Sequence, residues 1–175
     1  RNTFREKRND VNRWVIAASA DAHSSIKSAA DVMDVEILLI KPNQDGSLQQ
    51  DSAAAAIDKY HSENPSHQVF ALVATAGTTN LGIIDDLEGL ARCATSRDIG
   101  FHVDGAYGLA ALCAPSVRPL FNGIELADSL IVDPHKWLFA PFDACALIYR
   151  NPKLAKAAHL QKAAYLETLD DEDEW

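Results

Sequence analysis

The chain alternates between short, nearly continuous apolar runs and stretches in which apolar residues recur at helical spacing. The first pattern predicts strands and the second predicts helices. Strands are predicted over residues 13–19, 35–42, 69–77, 100–105, 129–134 and 143–150. Helices are predicted over residues 23–33, 47–64, 85–98 and 151–166, with a helix or turn over 117–127. Ser47 is a candidate N-cap, because serine hydroxyls accept hydrogen bonds from the first turn of a helix.

Alternating strands and helices are typical of an α/β fold. Strands that are apolar on both faces predict a mostly parallel sheet with helices on both faces. Ligands of such sheets bind beyond the carboxyl ends of the strands. Polar residues follow four of the predicted strands, at residues 19–23, 75–80, 104 and 133–136. We therefore expect a functional site where these four ends meet.

Composition is that of a globular domain: 175 residues, 47% hydrophobic and 23% charged. No apolar run approaches the ~20 residues that span a bilayer, and no signal peptide is predicted. The net charge of −9 is largely local, because residues 167–174 hold six of the 25 acids. The other 19 acids nearly balance 16 lysines and arginines, so neither a nucleic-acid nor a membrane partner is expected.

Three cysteines, Cys93, Cys113 and Cys145, are widely spaced and odd in number. This pattern favours buried thiols in a reducing compartment such as the cytoplasm over a disulfide framework or a zinc site.

Lys136 ends an apolar strand in the segment SLIVDPHKWLF, residues 129–139. It is either a lysine that extends its amine to solvent or a nucleophile that forms a Schiff base. A lysine amine with the ordinary pKa of ~10.4 is protonated at neutral pH. Desolvation beside Trp137 and Phe139 would free that amine for attack.

Asp104 follows mostly apolar positions in FHVDGAYG. Its carboxylate either caps a turn or serves as the counter-ion of a buried cation. His102 shares a strand face with Asp104, but two ligands are too few for a metal site, so no metal is predicted. Gly105 and Gly108 either let a flat ligand approach the backbone or simply form turns.

Two weaker signals complete the set. The hydroxyl-rich loop TAGTTN, residues 75–80, is either a turn or a source of hydrogen bonds to a ligand. His23 is either a helix-start residue or a flat ring for stacking. A nucleophilic lysine, a carboxylate for a cationic ring, an alanine beside it and a flat histidine together are typical of a pyridoxal phosphate site.

The segments DSLIVDPHKWL, HVDGAYG, TAGTTNLGIIDDL and DAHSSIKSAA resemble the pyridoxal-dependent amino-acid decarboxylases. That family includes the aromatic amino-acid, tyrosine, glutamate, histidine and diaminobutyrate enzymes. The resemblance covers most of residues 15–166. It implies part of the large domain of an aspartate-aminotransferase-like (fold type I) enzyme, with pyridoxal 5'-phosphate as cofactor and a homodimer as the complete enzyme.

The resemblance also implies roles for the catalytic residues. Lys136 would form the internal aldimine, and Asp104 would pair with the protonated pyridine nitrogen. Ala106 would lie against one face of the ring, and His23 would stack on the other and help to place the substrate carboxylate. The substrate amine would displace Lys136, carbon dioxide would leave from the external aldimine, and reprotonation of a quinonoid would give the amine.

Three further residues are implied to bind the cofactor: Thr79 near the ring, and Asp133 and His135 by the phosphate. Many relatives have asparagine at the position of Asp133. Asp85 matches a recurrent acid of the family, to which we assign no chemical step.

Members of the family are several hundred residues long. We therefore expect residues 1–150 to be part of the cofactor-binding domain. Residues 151–175 would be a helix and an acidic segment that lead to a catalytic loop and a C-terminal domain outside this chain. Residues 1–10 would end a helix begun elsewhere, and the chain alone would be inactive. Two alternatives are another pyridoxal-dependent lyase of the same fold and a non-catalytic folded fragment. The substrate cannot be assigned from these residues.

Overall fold

A computed structural model describes residues 11–159 of the chain. The predicted helix end at residues 1–10, the second half of the last predicted helix and the acidic segment lie outside these residues. The strands are β1 (Arg13–Ser19), β2 (Glu36–Ile40), β3 (His67–Thr75), β4 (Gly100–Asp104), β5 (Ser129–Val132) and β6 (Ala146–Tyr149). The α-helices are α1 (Ser25–Met33), α2 (Gln50–Glu63), α3 (Leu87–Thr95) and α4 (Pro152–His159).

The six strands form one sheet in the order β2-β1-β3-β4-β5-β6. Strands β1 to β5 run parallel to their neighbours, and β6 pairs with β5 in the antiparallel direction. The prediction of a mostly parallel sheet is therefore confirmed.

Helices cover both faces of the sheet, but unequally. The larger core packs α2 and α3 against residues such as Val15, Leu72 and Val103. The smaller core packs α1 against β1, β2 and β3, where Trp14 and Phe70 meet edge to face at 6.0 Å. Because α1 leaves β4 and β5 uncovered, the site lies on this face.

A bulge in β3 decides which side chains reach that open face. Val15 pairs with Val69 but Ile16 pairs with Ala71, so Phe70 is an extra residue in the ladder. The bulge reverses the alternation of side chains along the strand. As a result Val73 packs in the smaller core, and Thr75, two residues further along, lies on the same face beside Asp104.

One local prediction was wrong, one is confirmed, and one helix was missed. Ser47 is not the N-cap of α2, which begins after Gln49, because the Ser47 hydroxyl donates to Asp45 Oδ1 at 2.7 Å. The helix or turn predicted over 117–127 is confirmed, since this segment forms two short 3-10 helices. A third 3-10 helix, over residues 108–113, was not predicted.

The prediction of three buried thiols holds only for Cys93, because Cys113 and Cys145 are exposed. Within residues 11–159, no helix is both long and apolar enough to cross a membrane.

Candidate active site

A cleft of about 1020 Å³ lies at the carboxyl ends of β1, β3, β4 and β5. The structure brings all seven predicted site residues to its lining: His23, Thr79, Asp104, Ala106, Asp133, His135 and Lys136. The individual roles implied for these residues stay predictions, but their convergence is a property of the fold.

The tight turn after β5 places Asp133 and Lys136 side by side. The backbone N–H of Lys136 donates to the Asp133 carbonyl at 2.9 Å, with Pro134 between them. Lys136 Nζ then lies 2.8 Å from Asp133 Oδ2, in an ion pair whose side chains are 36% and 12% exposed. Burial works to raise the pKa of Asp133, but the hydrogen bond from Lys136 and neighbouring contacts hold that pKa below its ordinary value.

The two aromatic residues expected to desolvate Lys136 do not enclose it. Trp137 stacks on Tyr107 with ring centroids 5.7 Å apart and remains half exposed, and Phe139 is 87% exposed. The expectation of an apolar wall around the amine is therefore wrong for this structure. A carboxylate, Asp133, contacts the amine instead.

Asp104 caps a turn, as one of its two predicted roles requires, and it also lies in the cleft lining; its role as a counter-ion stays a prediction. Its Oδ1 accepts the backbone N–H of Ala106 at 3.1 Å, which caps the turn after β4, while the residue lines the cleft. His102 lies on the same face, 2.8 Å from the hydroxyl of Ser129, and burial lowers the pKa of His102. No group of three metal-binding side chains occurs within residues 11–159.

His23 lies two residues before the start of α1, whose N-cap is Ser24, and contacts the first residue of the helix. Its Nδ1 accepts the backbone N–H of Ser25 at 3.2 Å and lies 2.9 Å from the Ser25 hydroxyl. Because Nδ1 is an acceptor, the neutral ring holds its hydrogen on Nε2. The imidazole is thus oriented at the cleft by the start of the helix.

The loop that contains Thr79 is held by two glycines in contact. Gly77 has φ +99°, and a Cβ added there would lie 2.6 Å from the Cα of Gly108. A Cβ on Gly108 would lie 2.4 Å from the carbonyl oxygen of Ala76, and one on Gly105 would lie 2.6 Å from Leu109. Of the two alternatives left open for Gly105 and Gly108, the structure favours turn glycines over a ligand approach, because protein atoms occupy the space beside both.

Asp85 supports the cleft from behind and was not assigned a role from the sequence. It is 5% exposed, and its two oxygens accept the backbone N–H groups of Leu48 and Thr75, each at 2.7 Å. Burial raises the pKa of Asp85 to about 6. This carboxylate ties the segment before α2 to the end of β3.

The donor set of the cleft fits pyridoxal phosphate. The group needs an amine for its aldehyde, a carboxylate for its ring nitrogen and hydrogen-bond partners around the ring, which Lys136, Asp104 and Thr79 can supply. Within the described residues, two buried cleft atoms lack hydrogen-bond partners: Thr75 Oγ1 and Asp133 Oδ1.

The charge of the cleft is less favourable for a phosphate. Lys136 is the single lysine or arginine among its lining residues, against four carboxylates: Asp21, Asp104, Asp133 and Asp143. Within the described lining, a phosphate would therefore depend on neutral donors and histidines for most of its contacts.

Comparison with known proteins identifies the family of this chain. The family model of the pyridoxal-dependent decarboxylase conserved domain matches residues 2–173. The chain belongs to the pyridoxal-dependent decarboxylase family. The resemblance noted from the four motifs and the predicted fold are both confirmed.

Two curated relatives of this chain differ in their named activities. An aromatic-L-amino-acid decarboxylase of Bacillus atrophaeus is 34% identical over 155 residues, covering 85% of the chain and 31% of the relative. An aspartate 1-decarboxylase of Aliivibrio fischeri is 36% identical over 146 residues, covering 82% and 26%. The crystal structure of mouse CSAD superimposes with a TM-score of 0.82 at 29% identity, covering 90% and 33%. The chain thus spans a third or less of the length of these proteins.

Proposed function

We propose that the protein containing this chain catalyses the pyridoxal-phosphate-dependent decarboxylation of an L-amino acid to an amine and carbon dioxide. The observation that supports this most directly is the convergence of Lys136 and Asp104 on one cleft, in a chain of this family. Neither residue type alone is specific, but an amine and a carboxylate at adjacent strand ends meet the two chemical needs of the cofactor.

When bound, pyridoxal phosphate supplies an electron-withdrawing ring that stabilises negative charge on the substrate carbon. Lys136 is the residue proposed to hold its aldehyde carbon covalently. Asp104 keeps a proton on the ring nitrogen, and its own orientation is set by the backbone of Ala106. His23 and Ala106, which both line the cleft, would hold the two faces of the ring.

Three further residues complete the proposed cofactor site. Thr79 places a hydroxyl near the ring, and Asp133 and His135 lie at the side proposed for the phosphate. His135 is held in place by the loop before β6, since its Nδ1 lies 2.7 Å from the carbonyl oxygen of Ala144.

The proposed substrate is defined only as an L-amino acid, because the two relatives are named for aromatic and acidic substrates. The chain spans 26–31% of those relatives, so we assign the reaction to the protein that contains it. We expect no sustained turnover from residues 1–175 alone. A homodimer in the cytoplasm is proposed for the complete enzyme, on the family resemblance and the cysteine pattern.

Borohydride trapping tests the central assignment. The protein is incubated with pyridoxal 5'-phosphate, reduced, digested and analysed by mass spectrometry. The pyridoxyl adduct is expected on Lys136, and Lys136→Ala should remove both the adduct and the visible absorbance. Lys27→Ala is the matched control, because Lys27 lies on α1 near the cleft but does not line it. An adduct at another lysine would overturn the assignment.

Release of carbon dioxide tests the reaction itself. The protein that contains this chain is assayed with saturating cofactor and a panel of aromatic, acidic and basic L-amino acids. Release from at least one of them, lost in Lys136→Ala, is expected. A trapped adduct with a different product, such as one from carbon–carbon cleavage elsewhere in the substrate, would instead support another lyase of this fold.

A further inference from the structure

The ion pair between Lys136 and Asp133 gives Asp133 a role beyond its implied place near the phosphate. We propose that Asp133 is a positioning residue that pairs with the Lys136 amine and orients it, and so limits how fast that amine captures an aldehyde. The part of this proposal that concerns pyridoxal phosphate rests on the proposed function, whereas the control of amine reactivity does not.

The turn itself creates the pair. Lys136 N–H donates to the Asp133 carbonyl at 2.9 Å, and Ala140 N–H donates to the Pro134 carbonyl at 3.0 Å. Proline at the second position of such a turn presets its backbone angle. These bonds bring the side chains of Asp133 and Lys136 to the same side of the turn, with Lys136 Nζ 2.8 Å from Asp133 Oδ2.

Lys136 is the ion-pair partner of Asp133, and the Cys145 thiol also contacts this carboxylate. His135 does not share the carboxylate, because its Nδ1 contacts the backbone of Ala144 and its ring packs edge-on against Phe142. Oδ1 of Asp133 has no hydrogen-bond partner among residues 11–159. Separation of the pair therefore leaves a largely buried carboxylate without its cation, which is costly.

Capture of an aldehyde requires that separation. The Lys136 ammonium first loses one proton to solvent, which restores the nitrogen lone pair. The nitrogen then bonds to the aldehyde carbon, and the aldehyde oxygen leaves as water with the two remaining amine hydrogens. Asp133 opposes this reaction, because the 2.8 Å contact must break before the amine can reach an aldehyde carbon.

Other titratable groups of the cleft also act on this amine, so the experiment must distinguish their effect from that of Asp133. The titratable residues that line the cleft besides the pair are Asp21, His23, His102, Asp104, Tyr107, His135, Asp143 and Cys145. Asp143 provides a matched control, since Asp143→Asn removes one negative charge from the same cleft and leaves the 2.8 Å contact intact.

Competitive labelling measures the amine without any cofactor. Trace acetic anhydride is applied between pH 6 and 10, and acetylation of Lys136 is compared with that of Lys27 in the same sample. Asp133→Asn should raise Lys136 labelling near pH 7.5 by at least about fivefold, because the amine is then released from its ion pair. Asp143→Asn should change it by less than about twofold, and Asp133→Glu should restore most of the slow labelling.

Capture of the cofactor is measured separately. The rate at which pyridoxal 5'-phosphate becomes trappable by borohydride on Lys136 should rise in Asp133→Asn by a similar factor. If acetylation of Lys136 rises in Asp133→Asn but no pyridoxyl adduct forms, the positioning role is supported and the proposed function is contradicted. If the adduct forms on Lys136 but its acetylation is unchanged in Asp133→Asn, the proposed function is supported and the positioning role is contradicted.

Two results would overturn the positioning role: equal labelling of Lys136 in the wild type and Asp133→Asn, or an equal rise in Asp143→Asn. Circular dichroism and urea unfolding first establish that each variant folds. If Asp133→Asn does not fold, labelling of Lys136 and Lys27 in the wild-type protein tests the proposal. Lys136 should be labelled more slowly than Lys27 throughout the pH range, and equal rates would contradict the proposal.

Discussion

Asp85 accepts the backbone N–H of Thr75 through Oδ2 at 2.7 Å, ten residues away along the chain. Its other oxygen accepts the N–H of Leu48 at the same distance. One buried side chain thus satisfies two backbone donors from separate segments, directly behind the loop that contains Thr79. The role of Asp85 in this structure is to hold the cleft wall together.

Asp85→Asn should destabilise the fold by about 1–3 kcal/mol, because an amide offers one acceptor oxygen where the carboxylate offers two. The amide NH₂ would face a backbone N–H, and that buried donor would lose its partner. The free energy of unfolding in urea at pH 7 measures the effect. Asp31→Asn, at an exposed position of α1, is the control and should change stability by less than about 0.5 kcal/mol. Equal stability of the two variants would contradict this role.

The direction in which stability changes with pH should identify the contribution of Asp85. Burial raises its pKa to about 6 in the folded chain, against an ordinary 3.8, so the folded state takes up this proton first as the pH falls. Lowering the pH from 7.5 towards 4 should therefore stabilise the wild type relative to Asp85→Asn, by at most about 3 kcal/mol. Parallel stability curves for the two proteins over this range would show that the carboxyl group does not titrate there.

The contact between Gly77 and Gly108 should tolerate no side chain. In Gly108→Ala the new Cβ meets the carbonyl oxygen of Ala76 at 2.4 Å, so the loop with Thr79 must move. We expect a loss of about 3 kcal/mol in urea unfolding and weaker trapping of pyridoxal phosphate on Lys136.

Gly82→Ala is the matched control for that prediction. Gly82 has φ +66° and open space where a Cβ would stand, so alanine there costs only backbone strain, about 1 kcal/mol. If both alanine variants lose the same stability and retain the same trapping, the packing of the two glycines does not hold the loop.

Sequence patterns predict those parts of the fold that depend on neighbouring residues. The apolar run at 13–19 coincides with β1, Arg13–Ser19, since a strand buried on both faces needs little context to be recognised. The same holds for the convergence of strand ends, because parallel strands must place their carboxyl ends at one edge. Seven candidate site residues reach the cleft for this reason.

Features that depend on distant segments were not predictable. Gly108 looked available to a ligand because nothing in its own segment shows that Gly77 would pack against it. Trp137 and Phe139 looked like a wall around Lys136, but the burial of an aromatic ring depends on elements elsewhere in the chain. The spacing of Asp133 and Lys136 was visible, whereas their contact depends on a turn that directs both side chains to one side.

Asp104→Asn should separate cofactor capture from the chemical step. Asparagine Oδ1 can still accept the N–H of Ala106, as Asp104 Oδ1 does at 3.1 Å, so the turn after β4 should persist. The neutral amide cannot hold a proton on the pyridine nitrogen, which weakens the ring as an electron acceptor. We expect trapping on Lys136 to stay within about twofold and carbon dioxide release by the protein that contains this chain to fall by about 100-fold or more.

Asp21→Asn is the control for Asp104→Asn, because Asp21 is an exposed carboxylate of the same cleft and has no role assigned here. It should retain both trapping and carbon dioxide release within about twofold, whereas a general effect of cleft charge would lower both variants alike. Full activity in Asp104→Asn would remove the role of Asp104 as the partner of the ring nitrogen. Loss of trapping together with activity would instead assign Asp104 to holding the turn beside Ala106, since capture of the aldehyde by Lys136 does not require a protonated ring.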